Sequence, residues 1–138
     1  MKQLSISLSD ELEPKDEWVQ IEQIINDRGS RYSVTAGYVQ NKEDLKTFLK
    51  RLKSKKKYAK ATHNSYAVRL RKESQLVEAK NDDGETGAGM VILRALRKAN
   101  LVNIVIVVTR WYGGVKLHAD RFKHVQDASQ IIISKLNK

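Results

Sequence analysis

The chain has no cysteine and one proline, Pro14, in 138 residues. Without cysteine, disulfides and thiolate metal ligands are excluded outright, which fits a reducing compartment. No apolar run approaches the roughly 20 residues that a membrane span needs. Met1 to Asp16 mixes leucines with serines and acids, unlike a secretory signal. No G-x-S-x-G elbow is present, so no nucleophile stands out. The expectation from these absences is a soluble, cytosolic protein with no cofactor and no metal.

What is present is a length suited to one domain, able to bury roughly 68% of its unfolded surface. Lysine and arginine number 26 against 16 acids, a formal charge of +10. That balance favours polyanionic partners such as nucleic acid, ribosome or acidic protein surfaces. It is equally the mark of a solvated lysine-rich surface.

Residues 1–16 read as a polar arm or linker remnant, with residues 17–138 as one domain. Leu4, Ile6 and Leu8 alternate with serines and suggest a short edge strand. Trp18 to Ile25 is the first good strand. Asn26-Asp27-Arg28-Gly29 reads as a turn, and Arg31 to Val39 alternates as a half-buried strand, so Trp18 to Val39 predicts a hairpin. Asn41 caps a helix, with Asp44 three residues on. Leu45, Phe48, Leu49 and Leu52 make its apolar stripe, and Ser54 to Lys57 end it in a basic loop. Ser65 to Arg71 is a strand and Lys72 to Lys80 a polar connection. Thr86 or Gly87 opens a second helix that stops at Asn100. A last helix starts near Asp120, whose charge complements the helix dipole. About four strands and three one-sided helices predict a two-layer α/β sandwich, with the helices on one face of the sheet.

The chain is organised around Asp82 to Leu117. Asn103 to Thr109 is apolar and β-branched without alternation, as a strand in the middle of a sheet must be. Its flanks carry the candidate sites, because loops leaving a rigid strand are free to do chemistry. Upstream lie Asp82, Asp83, Gly84, Glu85, Gly87 and Gly89. No lysine with serine or threonine follows the last glycine, so this is not a phosphate loop. The calcium-loop spacing is also absent. The favoured reading has the acids capping the helix, with an intramolecular pair to Arg110. Downstream lie Arg110-Trp111-Tyr112-Gly113-Gly114, of types enriched at binding hot spots and stacking platforms. Continuing the strand from Val108 puts Arg110 and Tyr112 on one face and Trp111 on the other. Thr62-His63-Asn64 offers His63 as a general base or as a hydrogen-bonded structural residue. Lys50 to Lys60 holds seven basic residues in eleven positions, with Tyr58 its one aromatic.

Three stretches together resemble the YigZ/IMPACT family: Ala61-Thr62-His63-Asn64 with Tyr66-Ala67; Asp82-Asp83-Gly84-Glu85 with Gly87 and Gly89; and Val107 to Gly114. The resemblance covers about Ile24 to Leu136. Asp120 to His124 and the Trp-Tyr pair resemble the eukaryotic IMPACT branch. One departure is His118, where the family usually has glycine. The resemblance implies an α/β sandwich similar to the second domain of ribosomal protein S five and domain four of elongation factor G. It implies a regulator of translation that binds the ribosome-associated activator of the starvation-responsive kinase of initiation factor two, restraining that kinase. Actin binding is associated with the same branch. Those proteins usually carry an N-terminal RWD domain; the expectation here is the C-terminal IMPACT domain without it, and no catalytic residues are carried over.

Three functions follow as expectations. The first is a non-enzymatic binding domain in translational control, with contacts from Lys55, Lys56, Lys57, Arg69, Arg71, Arg110, Trp111 and Tyr112. The second is RNA or ribosome binding through the basic tract and the aromatic pair. The third is a small hydrolase-like enzyme using His63 with Asp82, Asp83 or Glu85. Thr62, His63, Asn64, Asp82, Asp83, Glu85, Gly113 and Gly114 are expected to border one cleft.

Overall fold

Residues 104–111 show why this chain folds as it does. In the computed structural model, which describes residues 18–136, they form the middle strand of a five-stranded antiparallel sheet. The strands are β1 (Trp18–Asp27), β2 (Ser30–Tyr38), β3 (His63–Lys72), β4 (Gln75–Asn81) and β5 (Ile104–Trp111). Their order is β1-β2-β5-β3-β4, so β5 pairs with β2 on one side and β3 on the other. The helices are α1 (Lys42–Lys53), α2 (Lys56–Ala59), α3 (Ala88–Lys98) and α4 (Asp120–Leu136).

A strand with no polar face needs cover on both faces. Ile104, Ile106 and Val108 join Tyr32, Val34 and Ala36 of β2 beneath α3 and α4. Val105 and Val107 face the opposite way, with Val68 and Leu70 of β3, against Leu45, Phe48 and Leu52 of α1 and Tyr58 of α2. Each such side chain contributes about 1.5–3 kcal/mol when fully buried. The α/β reading is borne out, but the helices lie on both faces, two on each. The amphipathic stripe of a helix says that it covers something, and the face it covers is set by the strand it must follow.

Two further expectations are corrected. Lys72 to Lys80 holds all but the last residue of β4, which pairs with β3 from Tyr66–Asn81 to Lys72–Gln75, giving five strands rather than four. Its other face carries Glu78, Lys80 and the exposed Leu76, while Val77 and Ala79 pack on the α1 side. The basic loop after α1 contains the single turn α2, held down by Tyr58, which is fully buried.

Local chemistry accounts for the remaining boundaries. Arg28 and Gly29 both take positive φ, 46° and 89°, the geometry of a two-residue hairpin turn that matches strand twist. Asn41 Oδ1 accepts from the Asp44 amide at 2.8 Å, as expected of the cap. Asn100 takes φ 54° and stops α3. The proposed arm of residues 1–16, and its alternating Leu4, Ile6 and Leu8, lie outside the described residues. No helix among the described residues is long and apolar enough to cross a membrane.

Candidate functional site

The alternation of β5 delivers its last side chains to two different places. Arg110 points to the α3/α4 face and is 6% exposed. Its Nη1 donates to both carboxylate oxygens of Glu85 at 3.1 Å. Its Nη2 donates to Ser30 Oγ at 3.2 Å.

Glu85 reaches Arg110 because the loop before α3 is held rigid by its neighbours. Asp82 accepts from the Gly87 and Gly89 amides at 3.0 and 2.7 Å. The Gly87 amide, first of these, holds the Asp82 carboxyl below its ordinary range. Asp83 accepts from the Asn64 amide at 2.7 Å. Two of the three acids thus serve the backbone, and the third turns inward, 4% exposed at its side chain. The expected helix cap and Arg110 pair are both present.

Arg121, from the first turn of α4, donates to the same Glu85 carboxylate at 3.3 Å and to the His118 carbonyl at 3.0 Å. His63 Nδ1 lies 2.8 Å from the Asp83 carbonyl. A carbonyl can only accept, so this nitrogen carries the proton. Nε2 then looks towards Glu85 Oε1, 3.9 Å away. Thr62 closes the corner: its amide donates to the Arg110 carbonyl at 2.9 Å, and its Oγ1 accepts from the Tyr112 amide at 2.9 Å.

These groups border an open cavity of about 440 Å³. Thr62, His63, Gly84, Glu85, Arg110 and Tyr112 line it from the expected motifs. Lys116, Leu117, His118 and Arg121 line it as well. Three permanent cations therefore face one carboxylate. Sequence reading missed Lys116 and Arg121 as parts of this cleft, and Ser30 as the buried hydroxyl that holds Arg110 from behind. The signal for Arg121 was its place in the Asp120 to His124 stretch, whereas Ser30 carried none.

The other predicted residues are placed elsewhere. Asn64 is buried, donating to the Tyr58 carbonyl and accepting from Thr109 Oγ1 at 2.7 Å. Gly113 lies so close to the turn of the first hairpin that a Cβ would overlap the backbone of Gly29 and Ser30. Gly114 takes φ 92°, open to solvent, and His118, at the departure from glycine, still takes φ 51°. Arg69 is 9% exposed and donates to the Leu101 carbonyl and to Glu78, so burial removes it from the surface. Arg71 lies near the far end of β3 from His63.

Trp111 projects to the opposite face from Arg110, as expected. Its Nε1 donates to the Lys57 carbonyl at 3.0 Å and its ring meets Tyr58 edge-on at 5.2 Å. Lys57 Nζ sits 5.4 Å from that ring. Lys55, Lys56 and Lys57 are exposed around it. Tyr112 is 46% exposed and borders the cleft on the Arg110 side, its ring 5.5 Å from the Arg110 guanidinium. No group of three or more histidine and acidic residues placed to hold a metal occurs among the described residues.

Residues 28–133 match the Impact N-terminal domain family. The chain belongs to the IMPACT family. The resemblance read from its three motifs is thereby borne out. It is 37% identical to Protein IMPACT of Homo sapiens over 130 residues, covering 93% of this chain and 39% of that protein. It is 35% identical to Protein IMPACT of Mus musculus over 144 residues, covering 99% and 45%. This IMPACT-family chain thus spans less than half the length of these relatives. Among solved structures it is similar to Yih1, a two-domain translational regulator, with TM-score 0.60 and 28% identity over 99% of this chain and 53% of that one. A hypothetical protein of known crystal structure matches with TM-score 0.72 and 21% identity over 86% and 61%, which is a likeness of fold.

Proposed function

We propose that this chain is a non-enzymatic protein-binding module of translational control acting in the cytosol, with residues 17–138 as its folded unit. The observation that carries the reading is the exposed Lys55, Lys56 and Lys57 cluster, mounted on a rigid base of Tyr58 and Trp111, in a relative of the translational regulator Yih1. Mounting cations on a packed turn lowers the entropy lost when a partner orders them. The partner is an acidic surface of the ribosome-associated activator of the starvation-responsive initiation-factor-two kinase, and its capture restrains that kinase. Actin is a second candidate partner. Arg31 and Lys60, which share a hollow with Lys57 and Trp111, extend the same surface.

The test is a pull-down of the purified activator, and separately of monomeric actin, with the wild-type chain and with Lys55, Lys56 and Lys57 all changed to glutamine. Capture should fall several-fold in the triple variant and fall with added salt. Undiminished capture removes the basic turn from the account.

RNA binding is the less favoured reading, because Trp111 and Tyr112 point to opposite faces and cannot stack successive bases as a pair. Hydrolase-like chemistry is also disfavoured. Glu85 is already bonded to two guanidiniums, and Asp82 and Asp83 are turned to backbone amides rather than to His63.

A further inference from the structure

We propose that the cleft beside Glu85 is a binding site for a phosphate monoester. The proposal does not rest on the partner reading above, which uses the opposite side of β5.

One buried carboxylate is balanced by one cation, and Arg110 alone supplies it, its Nη1 donating to both oxygens. Arg121 adds a second guanidinium to the same oxygen, 29% exposed at its side chain. Its Nη2 makes no hydrogen bond among the described residues, and Lys116 on the same wall makes no ion pair among them. The surplus is two positive charges on the wall of one cavity. A carboxylate ligand would cancel half of it. A phosphate monoester carries about −1.5 to −2 at neutral pH and would cancel nearly all.

Geometry points the same way. A guanidinium presents a planar fork that suits phosphate oxygens, and its hydrogen bonds to them are charge-assisted. The carboxylate of Glu85 does not repel the ligand as a bare acid would, because its oxygens already accept from both arginines. The exposed His118 adds one further nitrogen group to the rim, whereas His63 Nε2 is an acceptor in the tautomer that the Asp83 carbonyl sets and donates nothing. The cavity, at about 440 Å³, is larger than an inorganic anion requires. Tyr112, half exposed, offers a flat face on which the organic part of the ester can rest. The amides of Gly87 and Gly89 play no part, since Asp82 consumes them.

The test is an amide NMR titration of the whole chain with inorganic phosphate, a nucleoside monophosphate, and a phosphoserine peptide beside its unphosphorylated form. Saturating shifts are expected at Gly84 and His118. Arg121→Gln and Lys116→Gln should each weaken binding about tenfold, the size expected for losing one charge-assisted contact. Lys72→Gln, near the far end of β3, should not change it. Tighter binding of the nucleotide identifies a small-molecule ligand, and tighter binding of the phosphopeptide identifies a modified protein. The proposal is overturned if shifts grow linearly without saturating, if both cleft variants bind as wild type, or if neither ester binds better than inorganic phosphate. Lys116 is exposed in a loop, so its variant remains informative if Arg121→Gln fails to fold.

Discussion

Glu85 and Arg110 stabilise each other only as a pair. Both side chains are almost fully buried, at 4% and 6% exposure, so removing one leaves the other's charge stranded. Glu85→Gln should cost about 3–5 kcal/mol in urea unfolding, the range for breaking a buried ion pair from one side. A cost below about 1 kcal/mol would mean that water reaches the Arg110 guanidinium. Tyr32 poses the opposite case. It is fully buried, its hydroxyl has no hydrogen-bond partner among the described residues, and burial pushes its phenol up to about 12. An unsatisfied buried hydroxyl costs about 1–3 kcal/mol. Tyr32→Phe should therefore match or exceed wild-type stability in the same experiment, and a clear loss would reveal a partner for that hydroxyl. The Glu85 and Arg110 pair was legible in the sequence as one option, since an arginine leaving an apolar strand needs an anion. The Tyr32 orphan was not legible, because alternation says that a side chain is buried and nothing about what meets its far end.

At the scale of elements, the turn after β5 is locked to the first hairpin. The Gly113 amide donates to Ser30 Oγ at 3.2 Å, and that hydroxyl also accepts from Arg110. Gly113→Ala would push its methyl into the Gly29 backbone and pull Ser30 from the guanidinium. The expected cost is about 1–3 kcal/mol in thermal unfolding, as for other overpacked contacts. Gly114→Ala meets no such wall, so its cost comes from its positive φ alone, about 1 kcal/mol. Elements whose evidence is local were read correctly: the hairpin at Gly29, the Asn41 cap, the stop at Asn100 and the strand at Ile104. β4 was missed because an edge strand buries little, and Val77 and Ala79 are weak markers among charged residues. The single turn α2 is too short to hold by itself and exists because Tyr58 is buried beneath it.

Taken whole, the molecule holds several carboxylates below their ordinary range. Asp27 is lowered chiefly by its hydrogen bond from Arg28, Glu78 by that from Arg97, and Asp82 by the Gly87 amide. A carboxyl that is more acidic folded than unfolded favours the folded state once pH exceeds its unfolded value, near 4. That stabilisation is lost as pH falls through the lower, folded value. Unfolding midpoints should be flat from pH 5 to 7 and drop below about pH 4, and Asp82→Asn should flatten part of the drop. An unchanged slope would show that the cap is not ionised in the way described. The sequence alone determined what depends on near neighbours: a mixed α/β chain, a strand without a polar side, and Arg110 and Trp111 on opposite faces. Those follow from periods of two and 3.6 residues and from capping within a few positions. Only the tertiary structure decided which carboxylate turned inward, which face each helix covers, and that Arg121 and Lys116 join the cleft. The acids of residues 82–85 are chemically alike, and Glu85 is singled out by partners 25 and 36 residues away, a distance over which no local pattern carries information.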